Sequence, residues 1–116
     1  MDPEPITVET RDGRHPGQRI LKLSGRLTFP TTGLGFLEQV RVETAPIVIL
    51  DLSAVSFCDS SGVGALTRIH LTFERENRRL ALAGLSERVK AILVITRVLE
   101  KFKVFATVEE AEATFV

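Results

Sequence analysis

Ile47-Val48-Ile49-Leu50-Asp51-Leu52-Ser53-Ala54-Val55-Ser56-Phe57-Cys58-Asp59-Ser60-Ser61-Gly62-Val63-Gly64 is the run that decides the fold. It opens on consecutive β-formers, Ile47 to Leu50, with little alternation of apolar and polar residues. That is the pattern of a strand buried on both faces at the centre of a sheet, and we place it over Ile47–Leu52. Pro46 fits the position just before such a strand. After Val55 and Phe57 the chain turns through Cys58-Asp59-Ser60-Ser61-Gly62 and enters a helix. Val63, Leu66, Ile69 and Phe73 recur there at three and four residues, forming one apolar stripe from which Arg68, Glu74 and Arg75 fall away.

On the amino-terminal side, Ile6–Glu9 alternates as a half-buried strand does. Arg11–Gln18 is polar, with two glycines and a proline, and reads as a loop. Arg19–Leu23 is a second strand, ended by Gly25, and the two strands suggest a hairpin. Between hairpin and central strand, Leu34, Leu37 and Val40 stand at roughly helical spacing within Phe29–Val42. Thr31 or Thr32 is placed to cap a short helix there, although Gly33 and Gly35 each cost about 1 kcal/mol relative to alanine in a helix interior.

On the carboxyl-terminal side, Arg79–Ala83 is a short strand closed by Gly84. Ser86 starts a helix carrying Val89, Ile92, Leu93 and Thr96 on one side, with Glu87 complementing its dipole. Val104 and Phe105 make a last strand. Thr107 begins a final helix with Glu109 and Glu110 in its first turn. The order is β-β-α-β-α-β-α-β-α. Strands alternating with helices imply parallel pairs, and the opening hairpin adds an antiparallel edge. The expected class is α/β: a mixed sheet with a parallel core and helices packed on it.

A chain of 116 residues has room for one domain, 1–116, around one hydrophobic core. Fifteen basic residues cancel fifteen acidic ones, so no net field draws in nucleic acid or an anionic membrane. Arg75, Arg78 and Arg79, and again Lys101 and Lys103, cluster locally, but Glu74, Glu76 and Glu100 sit among them as on a mixed solvated face. The single cysteine, Cys58, excludes an intrachain disulfide and fits a reducing compartment. A structural zinc site needs several Cys or His ligands, and His15 and His70 lie far apart. No metal and no cofactor is expected. Met1-Asp2-Pro3-Glu4-Pro5 has neither the basic nor the apolar region of a signal peptide. The apolar runs fall far short of the ~20 residues of a membrane helix. The expectation is a cytoplasmic protein.

Function is expected to concentrate in the turn after the central strand, because ligands and partners of open α/β sheets are met outside the carboxyl ends of strands. Ser60 or Asp59 can cap the following helix. Gly62 and Gly64 remove side chains, so that another molecule can approach the backbone. Glycines in a first turn also weaken the helix, and a simple cap does not require them. On residue types alone, a well-capped helix start remains the competing reading.

The run Val48–Gly64 resembles the signature of STAS domains, and most of all that of the anti-sigma factor antagonists. Those proteins carry a hydrophobic strand, Asp-Leu, an aromatic residue, and then Asp-Ser-Ser/Thr-Gly-Leu-Gly. Leu23-Ser24-Gly25-Arg26-Leu27 is similar to the family's Gly-Glu/Arg-Leu turn. Leu80–Leu85, Val89, Leu93 and the Val108-Glu109-Glu110-Ala111 ending also fit, so that the resemblance spans about residues 5–113.

The resemblance implies a bacterial, non-enzymatic switch. Ser60 would be phosphorylated by an anti-sigma factor with a histidine-kinase-like ATPase fold. The unphosphorylated form would bind that factor and free a sigma factor for transcription, and a serine phosphatase would restore it. Asp59, Ser61, Gly62, Val63, Gly64 and Thr28 would meet the partner, and a weak homodimer is compatible. The alternative is a STAS accessory or scaffold subunit, as in a lipid-transport ABC complex or a stressosome-like assembly. Three places depart from the family pattern. Thr28 stands where many relatives have an acidic residue, and Phe29-Pro30-Thr31-Thr32-Gly33-Leu34-Gly35 replaces a polar, alanine-bearing helix start. Thr96-Arg97-Val98 replaces Thr-Gly-Leu.

Other residues invite blander readings. Cys58 is expected to be a buried small hydrophobe rather than a redox sensor. His70 reads as a partly buried helical histidine, and His15 as solvated. Asp51 and Asp59 lack the further carboxylates and the lysine of a phosphoaspartate site. Asp59-Ser60-Ser61-Gly62 is not the Gly-x-Ser-x-Gly elbow of serine hydrolases.

Overall fold

Val48, Ile49 and Leu50 are wholly buried, as a central strand requires. The computed structural model describes residues 6–28 and 34–116, and in it these three belong to strand β3 (Ile47–Cys58). The strand runs six residues beyond the Ile47–Leu52 expected, because β2 (Gln18–Leu27) pairs with it in parallel from Gln18↔Ile47 to Leu27↔Cys58. Gly25 therefore does not end β2. At φ 121° it sits in a register shift between Gly25 and Arg26, a bulge that re-aims the strand and lets it continue to Leu27.

Strand β1 (Thr7–Asp12) is antiparallel to β2, from Thr7↔Ser24 to Asp12↔Arg19. The loop expected over Arg11–Gln18 thus shrinks to residues 13–17. On the other side of β3 lie β4 (Arg79–Ala83) and β5 (Lys103–Phe105), both parallel, in the order β1-β2-β3-β4-β5. The expected mixed sheet is present. Because β4 stops opposite Asp51, the second half of β3 is flanked by β2 alone, and Ser53, Ala54 and Ser56 are exposed.

Helices α1 (Leu34–Arg41), α2 (Ser60–Arg75) and α3 (Glu87–Ile95) cover one face of the sheet. Their Val40, Leu66, Ile69, Phe73, Val89 and Leu93 join Leu21, Leu23, Leu50, Leu52 and Leu82 in the larger core. Helix α4 (Val108–Thr114) covers the opposite face, where Val108, Ala111 and Phe115 pack on Ile20, Ile49, Ala81 and Ala83. This two-sided cover explains the unbroken apolar run at the start of β3.

The caps follow the sequence. Ser86 Oγ accepts from the Val89 N–H at 3.2 Å, and Thr107 Oγ1 from the Glu110 N–H at 3.1 Å. Thr96 lies just past α3 rather than within it, its hydroxyl donating to the Ile92 carbonyl at 2.7 Å. A 3-10 turn, Leu99–Lys101, precedes β5. The Thr31 and Thr32 caps proposed for α1, and the Phe29–Gly33 departure, lie outside the described residues. Among the described residues no helix is long and apolar enough to cross a membrane.

Candidate functional site

The parallel pairing of β2 and β3 brings two chain segments to one end of the sheet: the β3–α2 turn and the end of β2. The Asp59 N–H donates to the Leu27 carbonyl at 3.0 Å, extending the ladder into the turn. Asp59 then leaves the strand in an extended conformation and caps α2. Its Oδ1 accepts from the N–H groups of Ser61 (2.9 Å) and Gly62 (3.1 Å), and its carbonyl accepts from Val63 N–H at 3.0 Å.

Of the two residues able to cap this helix, the aspartate does it. Ser60 is thereby released from the helix end and stands exposed as the first residue of α2, with Ser61 half-buried beside it. Among the described residues the Ser60 hydroxyl has no hydrogen-bond partner.

The two glycines, alike in sequence, have different surroundings. A Cβ on Gly62 would lie 2.4 Å from the Leu27 carbonyl oxygen and 2.6 Å from Cys58 Sγ. Gly62 is buried, and its missing side chain lets α2 seat against β2. Gly64 is exposed, and a Cβ there would meet nothing within 4 Å. Among the described residues nothing asks for glycine at 64. Val63, 7% exposed, points into the core.

Thr28 follows Leu27, the partner of Cys58 in the ladder, and stands half-buried at the same sheet end as the turn. Arg26 belongs to this end too. Its guanidinium lies 5.2 Å from the centre of the Phe57 ring, across the strand pair. Arg26 and Phe57 stand thirty-one residues apart in the chain, and the strand register puts them together.

Cys58 is 3% exposed, its thiol donating to the Asp59 carbonyl at 3.5 Å. Burial, helped by the Asp59 charge, pushes the thiol up to about 11, so it is protonated and unreactive near neutral pH. His70 is a helical histidine, 3.1 Å from Glu74 through Nε2 and tilted on the Phe102 ring at 5.2 Å between centres. His15 is half-buried rather than solvated, and the Gln18 side chain accepts from its backbone N–H at 3.1 Å. Asp51 Oδ1 accepts from the Ser53 N–H at 3.0 Å, a local turn contact. Among the described residues no cluster of His, Cys, Asp or Glu could hold a metal ion.

Residues 6–111 match the family model of the STAS domain. Solved structures share the fold. An anti-sigma factor antagonist from Mycobacterium paratuberculosis superposes with a TM-score of 0.79 at 21% identity, over 93% of this chain and 92% of that one. The Bacillus cell fate determinant SpoIIAA, in its phosphorylated form, gives 0.71 at 18% identity, over 95% of this chain and 100% of that one. A sulfate transporter family protein from Wolinella succinogenes gives 0.72 at 24% identity, over 85% and 84%.

Proposed function

The chain belongs to the STAS domain family, and from that premise we propose that it is an anti-sigma factor antagonist, switched by phosphorylation of Ser60. The observation that carries the reading is the division of labour at the head of α2. Asp59 does the capping, and Ser60 is exposed with no hydrogen-bond partner for its hydroxyl among the described residues. Two relatives of the same fold point the same way: one is an anti-sigma factor antagonist, and one exists in a phosphorylated form.

In this reading Asp59, Ser61, Gly64 and Thr28 form the surface that a kinase-type anti-sigma factor meets. Gly62 and Val63 shape that surface from beneath. The partner has a histidine-kinase-like ATPase fold and adds phosphate to Ser60, and a serine phosphatase removes it. The setting is regulation of sigma-factor-dependent transcription in a bacterial cytoplasm.

A phosphate brings about −1.5 to −2 charges at neutral pH. A bare helix N-terminus would welcome it. Here the Ser61 and Gly62 N–H groups are already held by the Asp59 carboxylate, which repels a second anion. The new charge is left facing the partner, where docking must desolvate it. A penalty of ~4 kcal/mol weakens binding about a thousandfold, without any change of fold.

The reading is tested by incubating the protein with ATP and a purified kinase-type anti-sigma factor, then locating phosphate by mass spectrometry. Incorporation is expected on Ser60 and lost in Ser60→Ala, and Ser60→Asp weakens partner binding. Phosphate on Ser61 alone, or none with a cognate kinase, overturns it. The alternative, an accessory or scaffold subunit in a lipid-transport or stressosome-like assembly, is favoured if Ser60→Asp leaves partner binding untouched.

A further inference from the structure

At the far end of α2 from Ser60, a groove of about 340 Å³ opens between α1 and α2. Along the helix its lining begins about 12 Å from Ser60, at Arg68, and reaches about 22 Å, at Arg75, at 1.5 Å per residue. Its charge is lopsided in a chain whose net charge is zero: Arg41, Arg68, Arg75 and Arg78 line it against one acid, Glu76.

The arginines are not equivalent. Arg78 is fully employed within the fold. Its guanidinium donates to the Ala45 carbonyl (3.0 Å), the Glu43 carbonyl (2.7 Å) and Glu76 (2.8 Å), and stacks 3.9 Å from the centre of the Phe73 ring. Arg41 has a loose pair with Glu38 at 3.5 Å and is 75% exposed. Arg68 and Arg75 are exposed and, among the described residues, have no ion pair or hydrogen bond. Arg75 lies in the last turn of α2, where the helix dipole favours a cation, but Arg68 sits mid-helix with no such reason.

Arg68, Thr72 and Arg75 are four and three residues apart, so they stand in one row along the helix. The two cations are about 10 Å apart, at 1.5 Å per residue. Beneath the row lie the apolar edges of Ile69 and Phe73 from α2 and Leu37 from α1. A row of donors beside an apolar floor matches a peptide with carboxylates two helical turns apart and one apolar side chain between them.

We propose that this groove docks an acidic, amphipathic segment of a protein partner, at a site separate from the Ser60 turn and insensitive to its phosphorylation. The proposal does not rest on the Ser60 reading. A partner held at both places would keep its grip on α2 after the serine face had been released.

The test titrates the 15N-labelled chain with a twelve-residue synthetic peptide carrying glutamates at three- and four-residue spacing around one leucine. A glutamine-for-glutamate peptide and phosphatidylglycerol vesicles serve as controls. Amide shifts are expected at Arg41, Arg68, Thr72 and Arg75. In the Arg68→Glu, Arg75→Glu double variant affinity falls about tenfold or more, and Arg68→Lys with Arg75→Lys retains most of it. Raising the salt screens the same contacts and weakens binding. Ser60→Asp leaves peptide binding unchanged. Equal binding by the glutamine peptide or by the double variant with unaltered circular dichroism, no shift at millimolar peptide, or a preference for the vesicles would each overturn the proposal.

Discussion

Gly62 lies against Leu27 so closely that a methyl group on it would stand 2.4 Å from the Leu27 carbonyl oxygen and 2.8 Å from the Leu27 Cβ. Both obstacles belong to β2 and cannot rotate away. Gly62→Ala therefore has to push α2 off the sheet, a strain of typically 1–3 kcal/mol that outweighs the ~1 kcal/mol alanine gains in a helix. Urea unfolding is expected to show a net loss of up to about 2 kcal/mol, with a lower melting temperature.

Gly64→Ala should have the opposite sign. Among the described residues nothing lies within 4 Å of its absent Cβ, so alanine brings better helix propensity, about 1 kcal/mol of added stability. If Gly64 leaves room for a partner's backbone, the same variant binds the proposed anti-sigma factor partner less tightly. A variant that is both more stable and unimpaired in binding would remove Gly64 from the interface.

The contrast marks how far the sequence could be read. The apolar run of β3 and the stripe on α2 announced the sheet and its main crossover, because period and burial are written in residue type. Gly62 and Gly64 looked alike, because what distinguishes them is the nearness of Leu27, thirty-five residues earlier in the chain and brought there by strand register. The same register extended β3 past Leu52 and carried β2 through Gly25, where the sequence suggested a stop. The contact between Arg26 and Phe57 depends on that register too. The choice between Ser60 and Asp59 as cap was open in sequence and is a matter of backbone geometry.

Cys58 gives a pH-dependent signature. Its thiol moves from the ordinary 9.0 to about 11 in the fold, chiefly through burial. A raised value means that the folded state prefers the protonated thiol. Stability is unaffected by this group below about pH 9 and declines as the pH climbs from there toward 11. Cys58→Ala should flatten that decline in urea unfolding measured from pH 8 to 11. Iodoacetamide at pH 8 should label the native protein far more slowly than the unfolded chain.

Gln18 ties the amino-terminal hairpin to the end of the chain. Its buried side-chain amide donates to the carbonyls of Glu112 and Phe115, each at 2.9 Å, closing the end of α4. Gln18→Leu fits a similar volume but leaves both carbonyls short of a donor. The expected cost is about 1–3 kcal/mol. Hydrogen exchange should quicken first in α4, while the Ser60 turn, on the other face of the sheet, keeps its protection.

Asp59 separates hydrogen bonding from charge. The cap needs one oxygen, since both the Ser61 and Gly62 N–H groups donate to Oδ1. Asparagine supplies such an oxygen and ranks with aspartate at this position, whereas alanine supplies none. Asp59→Asn should keep the cap, and Asp59→Ala should lose it, at about 1 kcal/mol. The asparagine variant also removes the anion beside Ser60. With that repulsion gone, phosphate added at Ser60 should destabilise Asp59→Asn less than the parent. Equal penalties in the two proteins would mean that the phosphate never approaches the head of α2, and that the carboxylate has no part in turning its charge toward a partner.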